Sequence, residues 1–327
     1  MRPNDLKNEI KSLYGSRQPL YCWGPPGVGK SSVVAQAAAE LGKEIRDVRA
    51  LLLDPVDLRG IPQIRDGRVL WCVPNFLPTD GEGILFLDEL NAAPQMVQAA
   101  CYQLVLDRML GEYRLPDGWT IIAAGNEETD RAAVHRMPSP LANRFVHLKY
   151  EVNLEDWVAW ALKAGVMTEV IACLRFRPAL LHQFDPKRNE KSFPTPRSWE
   201  FVSRMLTGRN NISAIEYELV AGAVGEGAAA EFIGFLKVFK SLPNPDAVIM
   251  SPKTASIPTD PATLYAICGA LARKASENTI GRIVEYANRL PAEYSILLMR
   301  DASRQSPEVV NTRAYIEWVS AHDSVLI

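Results

Sequence analysis

The chain has 327 residues and carries 36 Lys and Arg against 38 Asp and Glu, a formal net charge of −2. That length supports two domains, or one with a large appendage, without disulfide or metal staples. The charge balance gives no global basic footprint, which argues against an obligate non-specific nucleic-acid binder.

The five cysteines (Cys22, Cys72, Cys101, Cys173 and Cys268) are widely separated and form no C-x-x-C, and the four histidines show no ligand spacing. The expectation is reduced thiols in a cytoplasmic protein, with no zinc or redox centre. No apolar run reaches about 18 residues and the N-terminus has no apolar h-region, so the reading is a soluble, unexported chain with no membrane partner.

In chain order, Leu6, Ile10 and Leu13 predict a short amphipathic helix. Leu20-Tyr21-Cys22-Trp23 reads as a strand, and directly after it comes Gly24-Pro25-Pro26-Gly27-Val28-Gly29-Lys30-Ser31, followed by Ser32. This satisfies G-x-x-x-x-G-K-[ST] at every defined position, and the next segment has helical spacing (Val33, Val34, Ala37, Ala38, Leu41) before Gly42. Strand, glycine-rich loop and helix together make a phosphate cradle. Lys30 would reach the β- and γ-phosphates, and the Ser31 hydroxyl would hold Mg²⁺.

Glu44 to Val48 predicts a second strand. The breaker-rich stretch from Leu51 to Pro78 follows, with Asp66-Gly67 signalling an inserted hairpin. Gly83-Ile84-Leu85-Phe86-Leu87 then runs into Asp88-Glu89, the pattern of a buried parallel strand with acids at its C-terminal rim. Asp88 lies 58 residues after Lys30. Given a phosphate loop upstream, Asp88 suits Mg²⁺ organisation and Glu89 suits orienting and deprotonating an attacking water.

Pro94 to Met109 predicts a helix, and a compact turn region runs from Leu110 to Gly118. Thr120 to Ala124 predicts a fourth strand with Asn126 at its end, where an amide can hold a lytic water. Phe145 to Lys149 predicts a fifth. The α/β unit ends near Tyr150. Beyond it the pattern is helical, with core stripes at Phe232/Phe235/Leu236/Phe239, Leu264/Ile267/Cys268/Leu271 and Ile280/Ile283/Val284/Ala287. Leu242 to Pro261, with five prolines, predicts an extended linker or surface loop.

The order of phosphate loop, Asp88-Glu89, Asn126, Arg144 and Pro196-Arg197 resembles the AAA+ ATPases, and more narrowly their MoxR branch with its dynein-related domain. Leu53-Asp54-Pro55-Val56-Asp57-Leu58-Arg59-Gly60, Asp88-Glu89-Leu90-Asn91-Ala92-Ala93-Pro94 and Ala142-Asn143-Arg144-Phe145 carry the match. Ala92 stands where that branch usually has arginine.

The resemblance implies a P-loop NTPase αβα sandwich with a five-stranded parallel sheet. The expected domains are an ATPase core over 1–150, a helical lid over 151–208 and a helical extension over 209–327. It further implies ATP and Mg²⁺ as cofactors and a homo-oligomeric ring, commonly hexameric. Asn126 would be sensor 1 and Arg197 sensor 2. Arg144 would be the arginine finger, with Arg131 and Arg136 as rivals for that role. The hairpins near Asp66-Gly67 and Gly111 would be the helix-2 and pre-sensor-1 insertions.

The expected function is ATP hydrolysis that remodels or activates a partner protein, a chaperone-like role with a client or a von Willebrand factor A-like adaptor. The alternative is a nucleic-acid motor or loader, for which Arg59, Arg65, Arg68 and Arg114 could line a basic pore.

Overall fold

A computed structural model describes every residue except 128–136, 189, 210–212, 241 and 323–327. The chain divides into two compact units, Met1–Asn153 with Asp185–Asn189, and Leu154–Phe184 with Glu190–Ile327.

The first unit opens with α1 (Pro3–Leu13), β1 (Leu20–Trp23), α2 (Lys30–Leu41) and β2 (Glu44–Arg49). Next come α3 (Pro55–Arg59), the hairpin strands β3 (Ile61–Arg65) and β4 (Arg68–Cys72), β5 (Glu82–Asp88) and α4 (Gln95–Asp107). A small hairpin of β6 (Met109–Leu110) and β7 (Tyr113–Arg114) leads to β8 (Gly118–Gly125), α5 (Ser139–Ala142) and β9 (Val146–Lys149). Five of these strands form one sheet in the order β2-β5-β8-β1-β9, and every pairing in it is parallel.

Both faces of the sheet are covered, and the strand sequences say why. Successive side chains point to opposite faces, so a strand buried on both sides must be apolar throughout. On one face Ile84, Phe86, Ile122 and Ala124 join Val33, Val34, Ala37 and Ala38 of α2 in one core. On the other, Leu85, Leu87, Ile121 and Ala123 join Val97, Cys101 and Leu104 of α4. The result is the three-layer α/β arrangement expected from the sequence.

The Asp66-Gly67 turn has φ of +53° and +71°, the left-handed pair that suits the twist of a two-residue hairpin. It joins β3 and β4 in register from Ile61 opposite Cys72 to Arg65 opposite Arg68. At the base of this hairpin Gly60, at φ +81°, approaches the Cys72 carbonyl so closely that a Cβ would lie 1.9 Å from the oxygen.

The second unit is helical among its described residues: α6 (Leu154–Lys163), α7 (Thr168–Phe176), α8 (Pro196–Leu206), α9 (Ala214–Val224), α10 (Glu226–Lys240), α11 (Pro245–Met250), α12 (Pro261–Arg273), α13 (Ile280–Ala287), α14 (Ala292–Gln305) and α15 (Arg313–Ala321). The stripes Leu264/Ile267/Cys268/Leu271 and Ile280/Ile283/Val284/Ala287 lie in one apolar core with Leu298 and Trp318. Within it Arg175 and Asp301, with side chains 3% and 1% exposed, pair through both guanidinium Nη atoms. Two charges so deeply buried are tolerable only because they pair with each other.

The proline-rich stretch 242–261 is not wholly a linker, because it contains α11. Pro245 occupies a first-turn position where its missing N–H costs nothing, and Asn244 Oδ1 accepts from the Asp246 N–H at 2.9 Å. No helix among the described residues is long and apolar enough to cross a membrane.

Gly83 of β5 is packed tightly against its neighbours on β2 and β8. A Cβ there would lie 2.4 Å from the Glu44 carbonyl oxygen and 2.8 Å from the Trp119 ring. Gly83→Ala should therefore lower unfolding free energy by about 1–3 kcal/mol through overpacking between β2 and β5. Urea denaturation measures it, and an unchanged midpoint would contradict the predicted clash.

Candidate active site

In a parallel sheet the C-terminal ends of the strands share one rim, and ligands of open α/β sheets bind there. Three adjacent strands, β5, β8 and β1, deliver the polar residues singled out above. The phosphate loop leaves β1, Asp88 ends β5 with Glu89 next, and Asn126 follows β8. Trp23 is level with Gly125, and Leu87 with Ala123. Register alone thus brings the three polar stretches to one edge.

The loop has the backbone a phosphate cradle needs. Gly27 and Gly29 take φ of +76° and +105°, and Gly29 is the N-cap of α2 with no side-chain cap. The first-turn N–H groups of this 12-residue helix are therefore left for an anion, which the helix dipole also favours. Lys30 is 9% exposed, and its Nζ donates to the carbonyls of Gly24 and Pro25 at 2.6 and 3.0 Å. It also donates to Asn126 Oδ1 at 2.9 Å, so the lysine of one motif meets the amide of another 96 residues away.

The acids lie beside the loop. Ser31 Oγ donates to Asp88 Oδ2 at 2.8 Å, while Asp88 Oδ1 accepts the Glu89 N–H at 3.0 Å. A hydroxyl and a carboxylate one hydrogen bond apart are hard oxygen donors, a set that fits Mg²⁺. Burial, and after it the charge of Asp88, raises the Asp47 carboxyl above its ordinary value. A cation at Ser31 and Asp88 would relieve that negative field. Glu89 is half-buried and left-handed, at φ +56° and ψ +34°, a conformation uncommon for a residue with a Cβ and often held at functional sites. Cys22, beneath the loop, is no nucleophile, since burial pushes its thiol up to about 12.

Pro25, Pro26 and Ser31 are half-buried, Val28 is buried and Ser32 is exposed. Arg144 follows α5; its Nη1 donates to the Pro140 carbonyl at 3.0 Å and its guanidinium lies over the Tyr102 ring at 4.9 Å. Arg197 is exposed on the first turn of α8, in the second unit. Arg131 and Arg136 lie outside the described residues.

Two residues that support the site were not singled out as site residues by sequence reading. Asn91, 1% exposed, donates from Nδ2 to the Asn126 carbonyl at 2.7 Å. Tyr150, 6% exposed, donates its hydroxyl to the Val28 carbonyl at 3.0 Å and packs under Gly24, where an added Cβ would stand 3.1 Å from the Tyr150 Cβ. Asn91 lies in the stretch after Asp88-Glu89 that carries the resemblance and Tyr150 in no motif, but each acts through a contact distant in sequence.

Tyr150→Phe removes one neutral, buried hydrogen bond from the loop, a loss of about 1 kcal/mol. Nucleotide affinity measured by calorimetry should weaken roughly three- to tenfold at near-constant melting temperature. A lower melting temperature with unchanged affinity would make Tyr150 a residue of the fold alone.

Residues 20–150 match the AAA family, the ATPase family associated with various cellular activities. The chain is 26% identical to midasin of Giardia intestinalis over 185 residues, which are 52% of this chain and 4% of that protein. It is 38% identical to replication factor C subunit 4 of Homo sapiens over 104 residues, 28% of this chain and 27% of that one. The chain thus spans a small part of the length of these relatives. Among solved structures, NtrX from Brucella abortus in complex with ADP aligns at 16% identity and a TM-score of 0.43, covering 99% of this chain and 68% of that one. With the phosphate loop on β1 and the Asp88-Glu89 pair at the end of β5, residues 20–150 are a P-loop ATPase domain of the AAA family.

Proposed function

We propose that this chain is a Mg²⁺-dependent ATPase of MoxR type that works in a ring, commonly six-membered in that branch, and remodels or activates a partner protein in the cytoplasm. The observation that carries hydrolysis is the 2.8 Å contact between Ser31 Oγ and Asp88 Oδ2, with Glu89 as the next residue. That contact supports Ser31 and Asp88 as a metal-binding pair, with the candidate base Glu89 next in sequence to Asp88.

In this reading the loop from Gly24 to Ser32 binds ATP, with backbone N–H groups and Lys30 holding the β- and γ-phosphates. Ser31 and Asp88 would hold Mg²⁺, which when bound offsets phosphate charge. Glu89 orients a water and takes its proton as the water oxygen bonds to the γ-phosphorus. The bond from that phosphorus to the bridging oxygen breaks, and ADP leaves with the electron pair. Asn126 holds the water against the γ-phosphate. Arg197, in the proposed lid over 151–208, would sense the γ-phosphate, and Arg144 of the neighbouring protomer would neutralise developing charge. The segment 209–327 is proposed as a helical extension.

The similarity to midasin, which runs over half of the chain, supports the dynein-related branch. One observation favours a protein partner. The β3–β4 hairpin, the proposed helix-2 insertion, leaves Ile61 and Ile64 73% and 82% exposed, apolar surface of the kind a protein partner covers. A client or a von Willebrand factor A-like adaptor would cover it. The β6–β7 hairpin is the proposed pre-sensor-1 insertion.

A second reading, a nucleic-acid motor, draws support from Arg65 opposite Arg68 on one face of the hairpin tip and from the likeness to replication factor C. Like charges placed opposite each other are unfavourable unless an anion bridges them. The near-zero net charge weighs the other way. The readings part on whether turnover is stimulated by DNA in a salt-sensitive manner.

Lys30→Ala should weaken nucleotide binding at least tenfold, whereas Glu89→Gln should bind ATP within about twofold of wild type and hydrolyse it about 10²- to 10⁴-fold more slowly. Wild-type turnover by Glu89→Gln would sink the assignment of the base. Arg144→Ala, inactive alone at ring-forming concentrations, should regain measurable turnover when mixed with Lys30→Ala, because the mixed interface pairs an intact loop with an intact finger. No recovery on mixing would mean that Arg144 is not supplied across an interface.

A further inference from the structure

The rim of the sheet contains one buried amide that neither grips phosphate nor handles protons. Asn91 lies two residues after Glu89, in the short 3₁₀ turn Leu90–Ala92 that carries the chain from β5 toward α4. Its Nδ2 donates to the main-chain carbonyl of Asn126 at 2.7 Å. Gln98 on α4, fully buried, holds this turn in place: its Nε2 donates to the Asn91 carbonyl at 3.4 Å and to the Ala93 carbonyl at 3.0 Å.

The residue before Asn126 is shaped for the same contact. A Cβ on Gly125 would stand 2.0 Å from Asn91 Oδ1 and 2.2 Å from the Tyr21 hydroxyl, so only glycine lets the amide in. At its other end Asn126 accepts from Lys30 through Oδ1 at 2.9 Å. Hydrogen bonds therefore run without a break from α4 through the turn after the acids, across the end of β8, to the lysine of the phosphate loop.

We infer that Asn91 is a positioning residue for ATP hydrolysis, fixing the backbone of Asn126 so that its side-chain amide stays aligned with Lys30 and at a constant setting from Glu89. Asn126 lies one residue past β8, so the sheet does not fix its carbonyl. Asn91 supplies that restraint from the turn bearing the base. A displacement of the order of 1 Å in a water-holding group is enough to cost about two decades of rate, so the clamp acts on turnover more than on binding. The inference rests on the proposed role of Asn126.

The test compares full-length wild type with Asn91→Ala, Asn91→Asp, Asn126→Ala and the Asn91→Ala/Asn126→Ala double variant. The readouts are kcat, affinity for a fluorescent ATP analogue, and melting temperature. Asn91→Asp keeps the volume and loses the donor, so it reports on the clamp even if the alanine variant folds poorly. Both Asn91 variants should lose at least tenfold in kcat with analogue affinity within about threefold of wild type. The double variant should be no slower than Asn126→Ala alone, because residues acting through one another do not add.

If the Asn91 variants turn over within twofold of wild type while Asn126→Ala is impaired, the inference fails and the role of Asn126 stands. If the two losses multiply in the double variant, Asn91 acts independently and the inference also fails. Wild-type turnover by Asn126→Ala overturns the role of Asn126, and the inference with it.

Discussion

Three parallel strands ending at one level are the constraint on which the chemistry of this chain depends. Trp23 beside Gly125 and Leu87 beside Ala123 set the register of β1, β8 and β5, and the residue that follows each strand end inherits its position from that register. A slip in the pairing would turn the side chains of a strand to the opposite face and separate the loop from its acids. Apolar cores on both faces of the sheet prevent such a slip. The fold therefore does more than hold the site; it determines which side chains can meet there.

At that edge polar groups pair across long stretches of sequence. Ser31 meets Asp88, Lys30 meets Asn126, and Asn126 meets Asn91. Hydrogen bonds in the low-dielectric edge of a core are stronger than in water, so these pairings restrain the side chains that meet there. Preorganisation of this kind lets a few groups act on a transferring phosphoryl without reorganising during the reaction.

Much of this was legible in the sequence, for a physical reason in each case. The loop was legible because glycine spacing, a lysine and flanking strand and helix periodicity all had to coincide. The strand into Asp88-Glu89 was legible because burial on both faces leaves an unbroken apolar run. Asn126 was legible as a strand-end amide, though its partners were not. The Tyr150 hydroxyl under Val28 and the Asn91 amide on Asn126 were hidden, since a contact spanning 122 or 35 residues leaves no periodic trace in one chain. The helix α11 was masked by its prolines, one of which starts it instead of breaking it. The match to the AAA family covers residues 20–150 and rests on these motifs, whereas a narrower branch would be written in surfaces that composition does not encode.

The most direct test of the central claim, that the rim of β5, β8 and β1 is a hydrolytic centre built on Ser31, Asp88 and Glu89, is phosphate release from ATP by the wild-type chain, measured with Mg²⁺ and again after chelation. The account predicts multiple turnovers with Mg²⁺ and their loss on chelation, restored when Mg²⁺ is returned. Tight ATP binding with no phosphate release in Mg²⁺, or release indifferent to chelation, would contradict it.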